Sequence, residues 1–266
     1  MRCIFCTSPT VGSKSREHIL PESLGNTDHW LPPGVVCDGC NNYFAVKIER
    51  PLLESTFFTA LRQRQDIPNK RGQMPMVKGV FPLARIPVSV QRTPEGLALG
   101  PWCERDSDAF IRTLQIHSSG RIYVPMDGPL DSRLLARFLG KVGVEVMADR
   151  LIRAGLAPDE LLGEPALKAI RRFVRQGDQP RSWPISRRRI YGEDATFGAE
   201  GYQVVHEFDL LHCESGEVYV VICIFGEEFA INLGGPSIEG YEARLQAQGG
   251  LSPLYKPGEL EALCRR

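Results

Sequence analysis

The sequence predicts an α+β protein in two parts, a small cysteine-bearing segment followed by a larger mixed segment. Three observations carry that reading. Two C-x-x-C pairs, Cys3–Cys6 and Cys37–Cys40, lie near the N-terminal end. Apolar runs that alternate and are bounded by Gly, Pro and Ser recur from residue 77 onward. Between them, residues 131–153 switch to a helical period.

Each element has its own signal. Residues 41–65 place apolar side chains near helical spacing, with Pro51 as a break or kink. A linker-like stretch, 67–79, carries two Pro and two Gly and sets the expected boundary between a unit 1–70 and a unit 77–266. Residues 77–125 read as strands, with turns at Pro94-Glu95-Gly96 and at Ser118-Ser119-Gly120. In 131–153, Asp131 or Ser132 caps a helix whose apolar face is Leu134, Leu135, Phe138, Leu139, Val142 and Val146. Pro158-Asp159-Glu160 opens a second helical region that ends near Gly177. The runs 202–213 and 217–234 read as final strands joined at Glu214-Ser215-Gly216.

Composition excludes several classes. The chain has 266 residues, 42% of them apolar and 24% charged, which is ordinary for a globular protein and excludes wholesale disorder. No long uncharged apolar run exists, which excludes a membrane-spanning helix. The first residues carry too short an apolar run for a signal-peptide core, so the cytoplasm is the expected location. Lys plus Arg number 32 and Asp plus Glu number 32, which excludes a globally basic nucleic-acid coat but leaves room for a local basic patch.

Of eight cysteines, four fall in the two C-x-x-C pairs. Without a secretion signal, that spacing points to metal binding rather than disulfides. Four thiolates from Cys3, Cys6, Cys37 and Cys40 can close a tetrahedral zinc site, and a fully ligated site leaves no open position, so that zinc is structural. Cys223, in an apolar run, reads as a core residue.

Between the pairs lies Ser15-Arg16-Glu17-His18-Ile19-Leu20-Pro21-Glu22-Ser23-Leu24-Gly25, and after the second pair comes Asn41-Asn42. The order C-x-x-C, Glu-His-Ile-x-Pro-x-Ser-Leu-Gly, Val-Val-C-x-x-C-Asn resembles the HNH endonuclease superfamily, most closely the branch with a four-cysteine zinc knuckle and an Asn replacing the last His. The resemblance covers residues 1 to about 55. It implies a ββα-metal fold that grips one divalent ion, with His18 as the general base that activates water. It places Glu17 at an acidic metal ligand and Asn41 at the position of a metal-binding His, with Asn42 as the alternative. Asn41 also reads as a helix cap. Oxygen donors of this kind suit magnesium or manganese. Pro32 stands where many members carry a middle Asn, which leaves Asn26 or His29 to support the loop. Glu49, two turns along the following helix, is a further candidate ligand. His29 reads as a loop residue, and His117, His206 and His212 as structural.

A basic tract runs from Lys168 to Arg189 and includes Arg171, Arg172, Arg175, Arg187, Arg188 and Arg189, with Trp183 among them. With Arg16, these arginines are candidates to clamp phosphates, and Trp183 to stack on a base. The expected function is a metal-dependent HNH endonuclease that hydrolyses DNA, with RNA left open, in a setting such as restriction or phage defence. The alternative is a non-catalytic zinc-dependent nucleic-acid-binding protein. The larger segment would select substrate, sense a signal or form a homo-oligomer; no membrane partner is expected.

Overall fold

In the computed structural model, residues 1–69, 71–117, 119–125, 127–197 and 201–260 are described. Their contacts group into two units. The first comprises Met1–Leu20, Asp28–Glu49 and Asp131–Arg266; the second comprises Pro21–Thr27 and Arg50–Leu130. Residues 70–77, where the sequence suggests a boundary, lie within the second unit. The first is instead assembled from three separate stretches.

The first unit opens with a turn that carries Cys3 and Cys6. A short ribbon follows, β1 (Glu17–His18) against β2 (Trp30–Leu31), antiparallel. Helix α1 (Asp38–Phe44) comes next and widens into a π turn over Ala45–Glu49. The order is therefore strand, strand, helix, beside the cysteines. The long helix α5 (Ser132–Arg153) starts at Asp131, whose Oδ1 accepts from the Arg133 and Leu134 N–H groups at 2.9 Å. The expected cap is in place. Helix α5 is buried on several sides, because it packs on α6 (Leu167–Gln176) and on a four-stranded sheet.

That sheet has the order β6 (Ile185–Arg189), β9 (Glu227–Asn232), β8 (Val218–Ile224), β7 (His206–His212), all neighbours antiparallel. The apolar run 217–234 is two strands rather than one. Phe225 and Gly226 both take positive φ, 45° and 81°, and turn β8 back into β9 as a tight hairpin. Cys223 is fully buried, as expected. Helix α7 (Glu239–Ala247), for which the sequence offered no signal, packs Tyr241 into the sheet core beside Tyr219.

The second unit holds the meander β3 (Met76–Phe81), β4 (Ile86–Thr93), β5 (Gly96–Pro101), with the expected turn between β4 and β5. It also holds α2 (Arg50–Leu53), α3 (Thr56–Arg64) and α4 (Ser107–Ile116). Pro51 enters α2 directly after the π turn, where a widened backbone accommodates the missing N–H. Residues 107–116 correct a strand expectation. They form a helix, with Asp108 in its first turn to complement the helix dipole. Only Phe110 of that helix enters the core, against Phe81, Ile86, Val88 and Val90, so its remaining apolar residues lie outward and mimic alternation. Tyr123 adds a single bridge to Val80. The expected turn at Ser118-Ser119-Gly120 includes Ser118, which lies outside the described residues.

Candidate functional site

The site is built from the cysteine end. The opening turn is closed by the Cys3 N–H on the Ser8 carbonyl at 2.9 Å and the Thr7 N–H on the Cys3 carbonyl at 3.0 Å. Cys37 caps α1: its sulfur accepts from the Cys40 N–H at 3.4 Å. The Cys37 N–H in turn donates to the Cys3 sulfur at 3.4 Å. All four sulfurs lie within 4.8 Å of one another, and those of Cys6 and Cys37 are 3.6 Å apart. Thiolates around one zinc at about 2.3 Å stand roughly 3.8 Å from one another, so this donor set fits zinc. The Cys3 thiol is pushed down to about 4, chiefly by the hydrogen bond from Cys40, against the opposing effect of burial.

The ribbon is fixed by bonds from three directions. The Asn41 side-chain amide donates to the Arg16 carbonyl at 2.9 Å. The Ile19 N–H donates to the His29 carbonyl at 3.0 Å. Lys141 of α5 donates through Nζ to the His18 carbonyl at 2.9 Å. Successive strand residues face opposite ways, and here Glu17 is buried at 4% exposure while His18 is half-buried. The Arg16 guanidinium stands over the exposed Trp30 ring, 4.3 Å from its centroid.

Glu17 faces a buried charge cluster. Lys141, fully buried, has Glu17 Oε1 at 2.8 Å, Glu49 Oε1 at 2.9 Å and Glu145 Oε2 at 3.0 Å from its Nζ. Burial alone would lower the lysine, but Glu145, Glu17 and Glu49 outweigh it and hold the ammonium charged. Burial raises the Glu17 and Glu145 carboxyls, with Lys141 opposing. Glu17 Oε2 is buried and has no hydrogen-bond partner among the described residues. That oxygen, and the Asn41 carbonyl oxygen left over when its amide is spent on Arg16, are hard donors of the kind a small divalent cation takes.

A two-stranded ribbon and a helix thus lie beside four convergent cysteines, with Glu-His on the first strand. Residues 3–57 match the HNH endonuclease family. No curated protein and no solved structure matches the chain. The chain thus carries an HNH region with a four-cysteine cluster, and the rest is a larger α+β body.

Other expected residues fall as follows. Asn41 is the fourth residue of α1, not its cap; Cys37 takes that place. Asn42 is exposed on the same helix. Pro32, where the family's middle Asn is common, lies in a turn, and the chain around His18 is held by the His29 carbonyl and Lys141 instead. His29 packs its ring on Phe208 and His206 at 4.9 and 5.8 Å between centroids. His206 and His212 lie on β7, while His117 ends α4 rather than sitting in a strand.

The basic tract divides between α6 and β6. Arg171 is turned inward at 7% exposure, with Nη1 on the Ile4 carbonyl at 3.4 Å. Arg172 is exposed and meets Asp178 at 3.3 Å. Arg175 stacks over Tyr43 of α1 at 4.0 Å, and Arg137 donates to the Tyr43 hydroxyl at 2.7 Å. On β6, Arg187 and Arg189 pair with Glu227, and Arg188 with Glu228. Trp183 corrects an expectation: it is buried, with its indole N–H on the Asn232 carbonyl at 2.9 Å and its ring 5.3 Å from Phe173, so it serves the core and offers no stacking platform.

Sequence reasoning missed Lys141. Its signal was present: one lysine, with Glu145 four residues on, in the otherwise uncharged stretch from Phe138 to Val146. Among the described residues no helix is long and apolar enough to cross a membrane.

Proposed function

We propose that this protein is a metal-dependent HNH endonuclease that hydrolyses DNA phosphodiester bonds, with His18 as the general base. The observation that supports it is the HNH family match over residues 3–57, with Glu17 and His18 on a ribbon that Asn41 of α1 ties to the helix beside the four cysteines. A neutral imidazole takes a proton from water at cellular pH. The His18 main chain is fixed by Lys141, so its ring works from a set anchor. Glu17 and Asn41, with Asn42 beside them, would hold magnesium or manganese, which relieves charge on the scissile phosphate and leaving oxygen. Cys3, Cys6, Cys37 and Cys40 hold structural zinc that ties the opening turn to α1. Arg16 and Arg175 would meet phosphates, with Arg172 contributing where its exposed Asp178 pair opens and Arg187, Arg188 and Arg189 where the Glu227 and Glu228 pairs open. Restriction or phage defence in the cytoplasm is the setting the resemblance suggests.

The test compares wild type with His18→Ala for zinc content and for cleavage of plasmid DNA, and of RNA, with magnesium or manganese. Cleavage of DNA by wild type alone, at equal zinc, supports the assignment. Equal cleavage by both removes His18 from the chemistry. Binding without cleavage by either supports a zinc-dependent binding protein.

A further inference from the structure

The nuclease centre does not end with the HNH region. We propose that Lys141 is a positioning residue of that centre: its ammonium holds Glu17 Oε1 and the His18 carbonyl, so that α5 completes a site begun by residues 3–57. The inference rests on the nuclease reading given above.

Four oxygens surround Nζ at 2.8 to 3.0 Å, two of them from the adjacent residues Glu17 and His18. One side chain thus sets both the carboxylate next to the general base and the carbonyl of the general base itself. With Oε1 taken, the Glu17 carboxylate is fixed in rotation, and its Oε2 is the oxygen left without a partner.

The anchor for Lys141 is stiff. Gly140 and Gly143 flank it on α5. A Cβ on Gly140 would meet Ile170 and Val174 of α6 at 2.8 Å, and one on Gly143 would meet Leu233 at 2.5 Å and Val220 at 2.8 Å. The helix is therefore seated tightly against α6 on one side and the sheet on the other, and Lys141 projects from between the two contacts. Glu145 is the inner counter-charge: its Oε1 is buried without a hydrogen-bond partner, and its Oε2 meets only Lys141 among the ion pairs described. A purely structural ion cluster would hold the fold and leave cation binding at Glu17 indifferent to which partner was removed.

The experiment uses the full-length, zinc-loaded protein. Manganese affinity is read by electron paramagnetic resonance, and kcat and KM are read on plasmid DNA, for wild type, Lys141→Met and Glu145→Gln. Lys141→Met should keep its zinc, weaken manganese at least 10-fold and lower kcat at least 100-fold with KM within 2-fold. Glu145→Gln, which leaves Lys141 on Glu17, should stay within 3-fold of wild type in both. Because Lys141→Met leaves buried carboxylates unpaired, a measurement on wild type stands beside it. A buried, hydrogen-bonded ammonium exchanges its protons slowly, so its ¹⁵N–¹H signal is visible, and it should shift with magnesium and saturate where cleavage does. Manganese binding and kcat at wild-type levels in Lys141→Met overturn the proposal. So do an ammonium signal indifferent to magnesium and a Glu145→Gln protein as impaired as Lys141→Met. A wild-type protein that neither binds manganese nor cuts removes the nuclease reading and this inference with it, whereas a cutting wild type with an unaffected Lys141→Met removes the inference alone.

Discussion

The Asn41 amide donates to the Arg16 carbonyl at 2.9 Å, which ties the first turn of α1 to the residue ahead of Glu17. That bond sets the ribbon against the helix. Asn41→Asp keeps the size and loses the donor, placing a carboxylate oxygen against a carbonyl. It should destabilise the fold by about 1–2 kcal/mol. Urea denaturation measures the stability change, and plasmid cleavage should fall further than the unfolded fraction explains.

Zinc removal should loosen the opening turn and α1 while the sheet of β6 to β9 persists. The cysteines bring together two segments separated by 30 residues, and little else in the opening turn is apolar apart from Ile4 and Phe5. Cys40→Ser should lose the metal and cost several kcal/mol. Metal analysis and hydrogen exchange together check this: protection should drop at residues 3–20 and 35–44 and hold at 218–232.

The hairpin turn at Gly226 admits no side chain. Its φ is 81°, and a Cβ there would lie 2.2 Å from the Tyr191 carbonyl oxygen. Gly226→Ala should therefore destabilise by about 2–4 kcal/mol, combining a left-handed backbone with a clash that only a main-chain shift relieves. Thermal unfolding reads it directly.

Stability should fall toward alkaline pH through Glu207. Burial pushes its carboxyl up to about 7, with Glu259 adding repulsion, and the Tyr255 hydroxyl donates to it. A folded value raised above the ordinary 4.5 means the native state holds the proton more tightly. The stabilisation is complete below 4.5 and is lost as pH rises through about 7. His206 acts oppositely: burial, then His29, push it down to about 4, so its contribution is present above 6.5 and lost as pH falls through about 4. Glu207→Gln should flatten the alkaline fall in the denaturation midpoint measured from pH 5 to 9 and leave the acid side unchanged.

Removing the cap on α5 tests how much that helix relies on its own end. Asp131→Ala deletes acceptors for two N–H groups and should cost about 1 kcal/mol. Chemical denaturation provides the number, and manganese affinity should stay at the wild-type level because Lys141 lies well inside the helix.

Local chemistry was legible in the sequence wherever it sits on a short stretch. The C-x-x-C pairs, the Asp131 cap and the hairpin partners β4 and β5 are each encoded within a few residues, so spacing exposes them, while Glu17-His18 stood out through the resemblance to the HNH family. Long-range pairing left weaker traces. The strand Ile185–Arg189 read as a basic stretch because its arginines find their carboxylates, Glu227 and Glu228, on a neighbouring strand far along the chain. Residues 107–116 read as a strand because a helix that buries only Phe110 leaves no clean 3.6-residue stripe.

The sequence by itself determined the cysteine cluster and the long helix after Asp131, which follow from residue type and spacing inside one segment, and it carried the HNH resemblance on which the reading of Glu17, His18 and Asn41 depends. Tertiary structure decided what surrounds Glu17. Lys141 becomes fully buried only when α5 is seated by Gly140 and Gly143 against α6 and the sheet, and its charge is tolerated there only because Glu17 and Glu49 arrive from two distant points along the chain to join Glu145, one turn on in the same helix. A buried ammonium needs all its partners at once, and no local spacing announces a partner more than a hundred residues away.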